Sequence, residues 1–443
     1  MAHLLRRAGF GPAAGELDAR LGDGYQATVQ SLLEPGAVAD GLGDLDRHIG
    51  DLFDFGNIDE VRTWWIYRMI HSQRPLIEKM TFFWHGHFAT ANSKVGNAYL
   101  MYRQNQLFRE MALGSFGDLL IRVAQDPAML LWLDGSANRK AHPNENFARE
   151  VMELFTIGPG LYTEHDVQEA ARAFTGWHLR DDVFFFNASE HDFGKKTFLG
   201  REGDFDGADI LKILAEHPAT AERLTAKLFA YFVTDDADRN TLAPFVAVWA
   251  ATRGNVREVL RAIFLSAEFS SRRAYRAKIK SPAEFVIGAI RALGGTVAPR
   301  HVVSLMARMG QDLFNPPSVK GWDGGPAWIS TSTLFERFNF AASITTARGP
   351  AGTSHVDPAT VFGGVTPTTP RQALDRAVDH LLDGSLSEES HRALLGYLET
   401  PDPQRAKELS GNPVTFALDP RVLDEKVRGM LHLLLCTPEY QLG

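Results

Sequence analysis

The chain of 443 residues reads as a mainly α-helical protein: a large multi-helix domain with at most a short β-hairpin near 181–200. Three observations predict this. Capped helix starts recur from end to end. The segments behind them are apolar with a helical rather than an alternating period. Strand signals gather in a single place.

The starts come in order. Asn57 and Glu60 form an N-cap pair before "VRTWWIYRMI", and Asn255 and Glu258 do the same before "VLRAIFL". Ser281-Pro282-Ala283-Glu284 sets a cap, a first-turn proline and a reciprocal glutamate in sequence, and Thr369-Pro370-Arg371-Gln372 repeats the arrangement. The strand signal is "DDVFFFNASEHDFGKKTFLG", Asp181 to Gly200. A weak internal echo aligns Val256–Ser270 with Val427–Gln441: an apolar helix, a Ser/Thr cap, then a Glu-aromatic pair. The Gly/Pro/Ser/Thr-rich stretch over 348–370 reads as a loop or linker. It would separate a helical core with a polar cleft (1–347) from a C-terminal helical region (371–443) packed on that core.

Composition narrows the function classes. Hydrophobic residues are 44% and charged residues 23%, ordinary for a globular protein. The net charge of −8 argues against nucleic acid as the main partner, because phosphate binding needs a basic footprint. The one cysteine, Cys436, allows neither an intrachain disulfide nor a cysteine-built zinc or haem site. No 18-residue apolar run predicts a membrane span. The opening "MAHLLRRAGFGP" carries no export signal, so the chain as given reads as cytoplasmic, or exported if a leader precedes it. HExxH, GxSxG, Walker A and EF-hand patterns are absent, and "GFGPAAG" lacks dinucleotide-site spacing.

Four segments carry chemistry-bearing side chains. In "AHPNENFAREVMELFTIG", a helix over Glu145–Thr156 puts Glu145, Asn146, Arg149, Glu150, Glu153 and Thr156 on one arc and an apolar set opposite. Glu145–Arg149 and Arg149–Glu153 are i,i+4 pairs, so the arc is either a solvated face or the wall of a cleft with paired carboxylates for acid/base work. The next helix, Glu164–Trp177, divides the same way behind a Thr163–Asp166 cap. "PLIEKMTFFWHGHFATAN" is apolar all round, which predicts burial and demands partners for Glu78, His85 and His87. His85 and His87 lie about 200° apart if the helix continues, and converge on one metal only if Gly86 ends it. "YRQNQLFRE" offers Arg103 and Arg109 to grip an anion. "HDFGKK" (His191–Lys196) is a charged loop that would cap a pocket. "NPPSVKGWDGGPAWIST" holds Trp322 and Trp328, either as an apolar platform or as anchors of the loop.

Taken together, "HLLRRAGFG", "FWHGHFAT", "YRQNQLFRE", "HPNENFAREVMELFTIG", "AARAFTGW", "HDFGKKTFLG", "SPAEFVIGAIRALG" and "LFNPPSVKGW" resemble, in order, the bacterial domain-of-unknown-function 1800 family. The resemblance runs from about His3 to Gln441. It implies no known activity. Family members are often exported, and their genes often neighbour a family similar to the sulfatase and alkaline phosphatase superfamily, which implies a sulfatase-like partner. The family's motifs fall on the polar residues singled out above.

The resulting expectation is an enzyme, a hydrolase or lyase acting on a polar or glycan-like substrate. Glu150, Glu153, His85 and His87 are its candidate catalytic groups. Arg103, Arg109, Asn146, Arg149, His191, Lys196 and Trp322 are its candidate substrate-binding groups. A divalent metal on His85 and His87 is a candidate cofactor, with no haem or nucleotide motif. The alternatives are a non-catalytic binding or assembly partner of a sulfatase-like protein, and a metal-binding protein.

Overall fold

Side chains that satisfy the first N–H groups start most of the helices. Asn57, Asn255, Ser281 and Thr369 each accept from a first-turn amide, as their sequence context predicts. Ser281 and Glu284, and Thr163 and Asp166, complete reciprocal capping boxes. These observations come from a computed structural model, which describes residues 1–37, 40, 42, 53–295, 298–349, 355–400 and 420–443. The described chain is mainly α-helical, as expected.

Its β-structure is two short antiparallel hairpins around the predicted place. Trp177–Arg180 pairs with Val183–Phe186, and Lys196–Phe198 pairs with Arg201–Gly203. The first turns through Asp181 and Asp182, both at positive φ (50° and 58°). Aspartate tolerates that left-handed conformation, and two such residues in a row match the twist of a tight hairpin.

Contacts divide the chain into two units. One comprises Met1–Thr28, Tyr275–Asp312 and Gly324–Gly443; the other comprises Val29–Ala274 and Leu313–Asp323. In the first, the "HLLRRAGFG" and "SPAEFVIGAIRALG" segments meet. Arg291 Nε donates to Gly11 O at 3.0 Å, and Gly288 lies so near Phe10 O that a Cβ would sit 2.7 Å from it. The expected linker over 348–370 is not bare loop. Residues 350–354 lie outside those described; beyond them Val356 is buried and a short 3-10 helix, Pro358–Phe362, buries Val361 and Phe362.

The second unit is built around the helix Pro75–His87, whose side chains are buried nearly all round, as its apolar pattern predicts. The helices Ile58–His71 and Ala98–Glu110 contact it. The internal echo is also a structural repeat, one copy in each unit. Ser266 Oγ donates to Ile263 O (2.7 Å) and accepts from the Phe269 amide (3.1 Å). Thr437 Oγ1 does the same with Leu434 O (2.7 Å) and the Tyr440 amide (3.3 Å). Among the described residues, no helix is long and apolar enough to cross a membrane.

Candidate functional site

The candidate residues of the second unit separate into distinct surroundings. Glu78, 1% exposed, is the most completely paired. Arg109 Nε and Nη2 reach its two oxygens at 2.7 and 2.9 Å, Arg68 Nε donates at 3.1 Å and Trp65 Nε1 at 3.1 Å. Arg68 also pairs with Asp40, and the Arg109 guanidinium stands 4.9 Å over the Trp64 ring. Burial would raise the Glu78 pKa, but the two guanidiniums outweigh it and hold the carboxyl below its ordinary value. Arg109, expected to bind substrate, is therefore a structural counter-ion. Arg103 is exposed and donates to Asp182 O at 3.4 Å.

The two histidines go separate ways because the helix continues through Gly86 to His87. His85 Nε2 accepts the Phe314 amide at 3.1 Å, and its ring lies 5.6 Å from that of Trp322. It docks the segment Leu313–Asp323, where Gly321 has a φ of 86° and a Cβ would collide with Gly86 O. Burial drops its pKa to about 3, so the ring is neutral. Trp322 is thus an anchor here. Trp328, in the other unit, is buried at 7% exposure, so the two tryptophans form no exposed platform. His87 Nε2 donates to Phe155 O at 3.1 Å, while its Nδ1 accepts from Lys227 Nζ at 3.0 Å. The two rings cannot share a metal. Among the described residues, no group of three or more His, Cys, Asp or Glu is arranged to hold one.

Two further expectations are corrected. The "HDFGKK" loop is knotted on itself. Arg172 binds Asp192 (2.7 and 3.2 Å) and Glu169 (2.7 Å), and Lys196 Nζ, 1% exposed, donates to Asp192 O and Gly194 O at 2.6 and 3.0 Å. His191 Nδ1 donates to Thr175 O at 2.7 Å. These bonds fix the loop and keep His191 and Lys196 buried within it, at 4% and 1% exposure. Arg149 faces outward, bidentate to exposed Glu164 (2.8 and 2.7 Å) and bonded to Glu145 at 3.1 Å. Asn146 Nδ2 donates to Asp134 at 3.2 Å.

The i,i+4 pair expected between Arg149 and Glu153 does not form. The α-helix ends at Glu150, and Val151–Phe155 is a π-turn. The extra residue in that turn rotates the downstream side chains by roughly 100° relative to an α-helix. Glu153 accordingly turns from Arg149 to the Tyr162 hydroxyl, 3.0 Å away.

That π-turn gathers the remaining candidates with three residues that the sequence did not single out: Tyr162, Arg223 and Lys227. The helix Pro218–Phe232 presents Arg223, Lys227 and Tyr231 at i, i+4, i+8. Lys227 meets His87, and the Tyr231 ring meets Phe83 at 5.1 Å. Arg223 Nη2 reaches Leu154 O at 3.4 Å, past Gly158. A Cβ at Gly158 (φ 90°) would lie 2.6 Å from Arg223 Nη1, so the glycine that closes "FTIG" gives the guanidinium its passage. The polar row on "AERLTAKLFAYF" was visible in the sequence, but nothing marked the helix it faces.

The electrostatics of this cluster are unbalanced. Glu150 makes no hydrogen bond or ion pair among the described residues; burial and the Glu153 charge raise its pKa. The Lys227 ammonium has His87 for its hydrogen-bond acceptor and no carboxylate in ion-pair range among the described residues. Burial, then Arg223, brings its pKa down to about 8. Burial, then the Lys227 charge, pushes that of His87 well below its ordinary value. Arg223 feels Glu153 only at longer range, and its Nε is buried without a partner. Burial and the bond to Glu153 raise the Tyr162 phenol to about 12. Glu150, Glu153, Tyr162, Arg223 and Lys227 are all partly exposed.

A family model described as "Protein of unknown function (DUF1800)" matches residues 3–442. The chain belongs to that family. No curated protein and no solved structure is detectably similar to it.

Proposed function

We propose that the chain is an enzyme performing acid/base chemistry, of hydrolase or lyase type, on a polar substrate that carries an anionic group. The observation that supports this is a contrast in pairing: Glu150, Lys227 and Arg223 make no ion pair among the described residues, whereas Glu78, Arg109, Arg149, Arg172 and Asp192 all do. Partly buried, unpaired charge is costly unless a ligand completes it. Arg223 would bind the substrate anion, since a guanidinium suits carboxylate, phosphate or sulfate. Glu150, whose pKa burial raises, is suited to give or take a proton, and Lys227, with a pKa of about 8, to do so near neutral pH. Glu153, with Tyr162, would set the charge that Glu150 feels. His87, held neutral, would orient Lys227 rather than shuttle protons itself.

The test is a turnover screen on glycosides, uronic-acid glycans, and sulfate and phosphate esters, run with and without added divalent cations. Any activity found is then measured in Glu150→Gln and Lys227→Met. Loss of turnover in both, with folding intact, supports the assignment. Full activity in Glu150→Gln removes it.

A second reading is an assembly partner of a sulfatase-like protein. Its support is an apolar face on the helix Thr331–Thr345, where Phe335 and Phe338 are 63% and 38% exposed. Co-purification with such a protein that Phe335→Ser abolishes, with no turnover on any substrate, would favour it.

A further inference from the structure

The unit of Met1–Thr28, Tyr275–Asp312 and Gly324–Gly443 contains a small pocket with a cavity volume of about 40 Å³, lined wholly by its own residues. Arg6, Arg7, Lys278, Lys280 and His380 contribute to the wall, and Glu284 is the acid among the lining residues. The space suits one small group rather than a whole cofactor, since one water needs roughly 10–15 Å³ by this measure.

Positive charge is concentrated behind the wall. Lys280 is 9% exposed, and its ammonium stands 3.6 Å from the centre of the Tyr440 ring. Its Nζ makes no hydrogen bond or ion pair among the described residues. Arg276 donates to Glu439 O at 3.0 Å and to Leu382 O; Arg337 donates to Lys280 O at 2.7 Å and Gln441 Oε1 at 3.1 Å. Among the described residues each bonds only neutral acceptors through its Nη atoms and keeps its Nε buried without a partner, with Glu284 acting on Arg337 at longer range. Arg6 and Arg276 flank the Tyr275 ring at 5.7 and 5.5 Å, and Arg6 pairs with Asp383. Arg6 Nε and Nη2 are buried without hydrogen-bond partners. Burial, then Arg6 and Arg276, holds the Lys280 pKa well below its ordinary value, with Glu284 pulling the other way.

We propose that this pocket binds a small oxyanion group, a phosphate, sulfate or carboxylate, with Lys280 and Arg6 as its direct donors and Arg276 and Arg337 supplying the field. The Lys280 Nζ and the Nε and Nη2 of Arg6 are donors without acceptors, and an oxyanion provides both the acceptors and a compensating negative charge. The inference is independent of the Glu150 cluster.

The experiment is isothermal titration of the full chain with inorganic phosphate, sulfate and acetate in turn, for wild type, Lys280→Met and Lys227→Met, with folding checked by circular dichroism. At least one anion is expected to bind wild type and Lys227→Met alike, and to bind Lys280→Met roughly tenfold or more weakly, as loss of a charged hydrogen bond predicts. Unchanged affinity in Lys280→Met, loss in Lys227→Met only, or no binding of any of the three to wild type would overturn the proposal. Limiting acetic anhydride labelling of wild type, read by peptide mass spectrometry, covers a Lys280→Met that fails to fold. The bound anion is expected to slow acetylation of Lys280 and spare exposed Lys195. Equal slowing at both, or at neither, would contradict it.

Discussion

Glu78 and Glu150 belong to the same unit, and each lies in a helix beside arginines, yet they have opposite fates. Glu78 is buried under two guanidiniums and an indole, with every oxygen accounted for. Glu150 is half-buried near a second carboxylate, Glu153, and makes no ion pair among the described residues, as is true of Arg223 and Lys227 beyond Glu153. The lesson is that the presence of charge does not mark a site in this protein; unbalanced charge does. A completed buried pair mainly specifies structure, whereas an incomplete one is a place where a ligand's charge is worth most.

The comparison breaks if the two glutamates respond alike. The largest effect is expected in Glu150→Gln. Turnover on whatever substrate the screen finds should fall by roughly 10²–10⁴-fold, the usual worth of a proton-transfer group, with little change in the urea unfolding midpoint. Glu78→Gln should do the reverse. Leaving Arg68 and Arg109 buried beside a neutral amide should cost about 3–5 kcal/mol in the same unfolding measurement. A Glu78→Gln protein as stable as wild type would mean that the buried network is not what holds these helices.

The histidines sharpen the contrast by pH. In the folded chain the His85 pKa is about 3, against an ordinary 6.5. Between those values the unfolded chain binds a proton that the folded chain does not. The stability is therefore complete above about pH 6.5 and lost as pH falls, at up to about 1.4 kcal/mol per pH unit for each such histidine. His85→Asn keeps an acceptor for the Phe314 amide, so it should lower stability at pH 7 but flatten this acid slope. An unchanged slope from pH 6.5 to 4.5 would show that His85 is not the group responsible. The smallest effect is expected at Arg149. Arg149→Ala removes exposed pairs to Glu145 and Glu164, and both the unfolding midpoint and turnover should stay near wild type. A large loss of turnover there would return Arg149 to the site.

Much of the fold is legible in the sequence. Caps at Asn57, Thr163, Asn255, Ser281 and Thr369 depend on residues a few positions apart, and such local chemistry survives folding. The all-round apolar helix Pro75–His87 could only be buried, and its Glu78 could only be satisfied. The repeat of Ser266 and Thr437 was equally local. Glu150 and Glu153 were legible as candidates, but their neighbours were not. Lys227 is 140 positions from His87, and Arg223 is 69 from Leu154.

By itself, then, the sequence determined the helical class, the capped starts, the buried central helix and the family. Each follows from short-range periodicity and hydrogen bonding, which read the same in any tertiary context. Which charges are cancelled was decided only by the tertiary structure. A π-turn of five residues redirected Glu153 from Arg149 to Tyr162, and Gly158 opened a way for Arg223. Counter-ions are set by distances of a few ångströms between segments far apart in the chain, and helical periodicity carries no information about them.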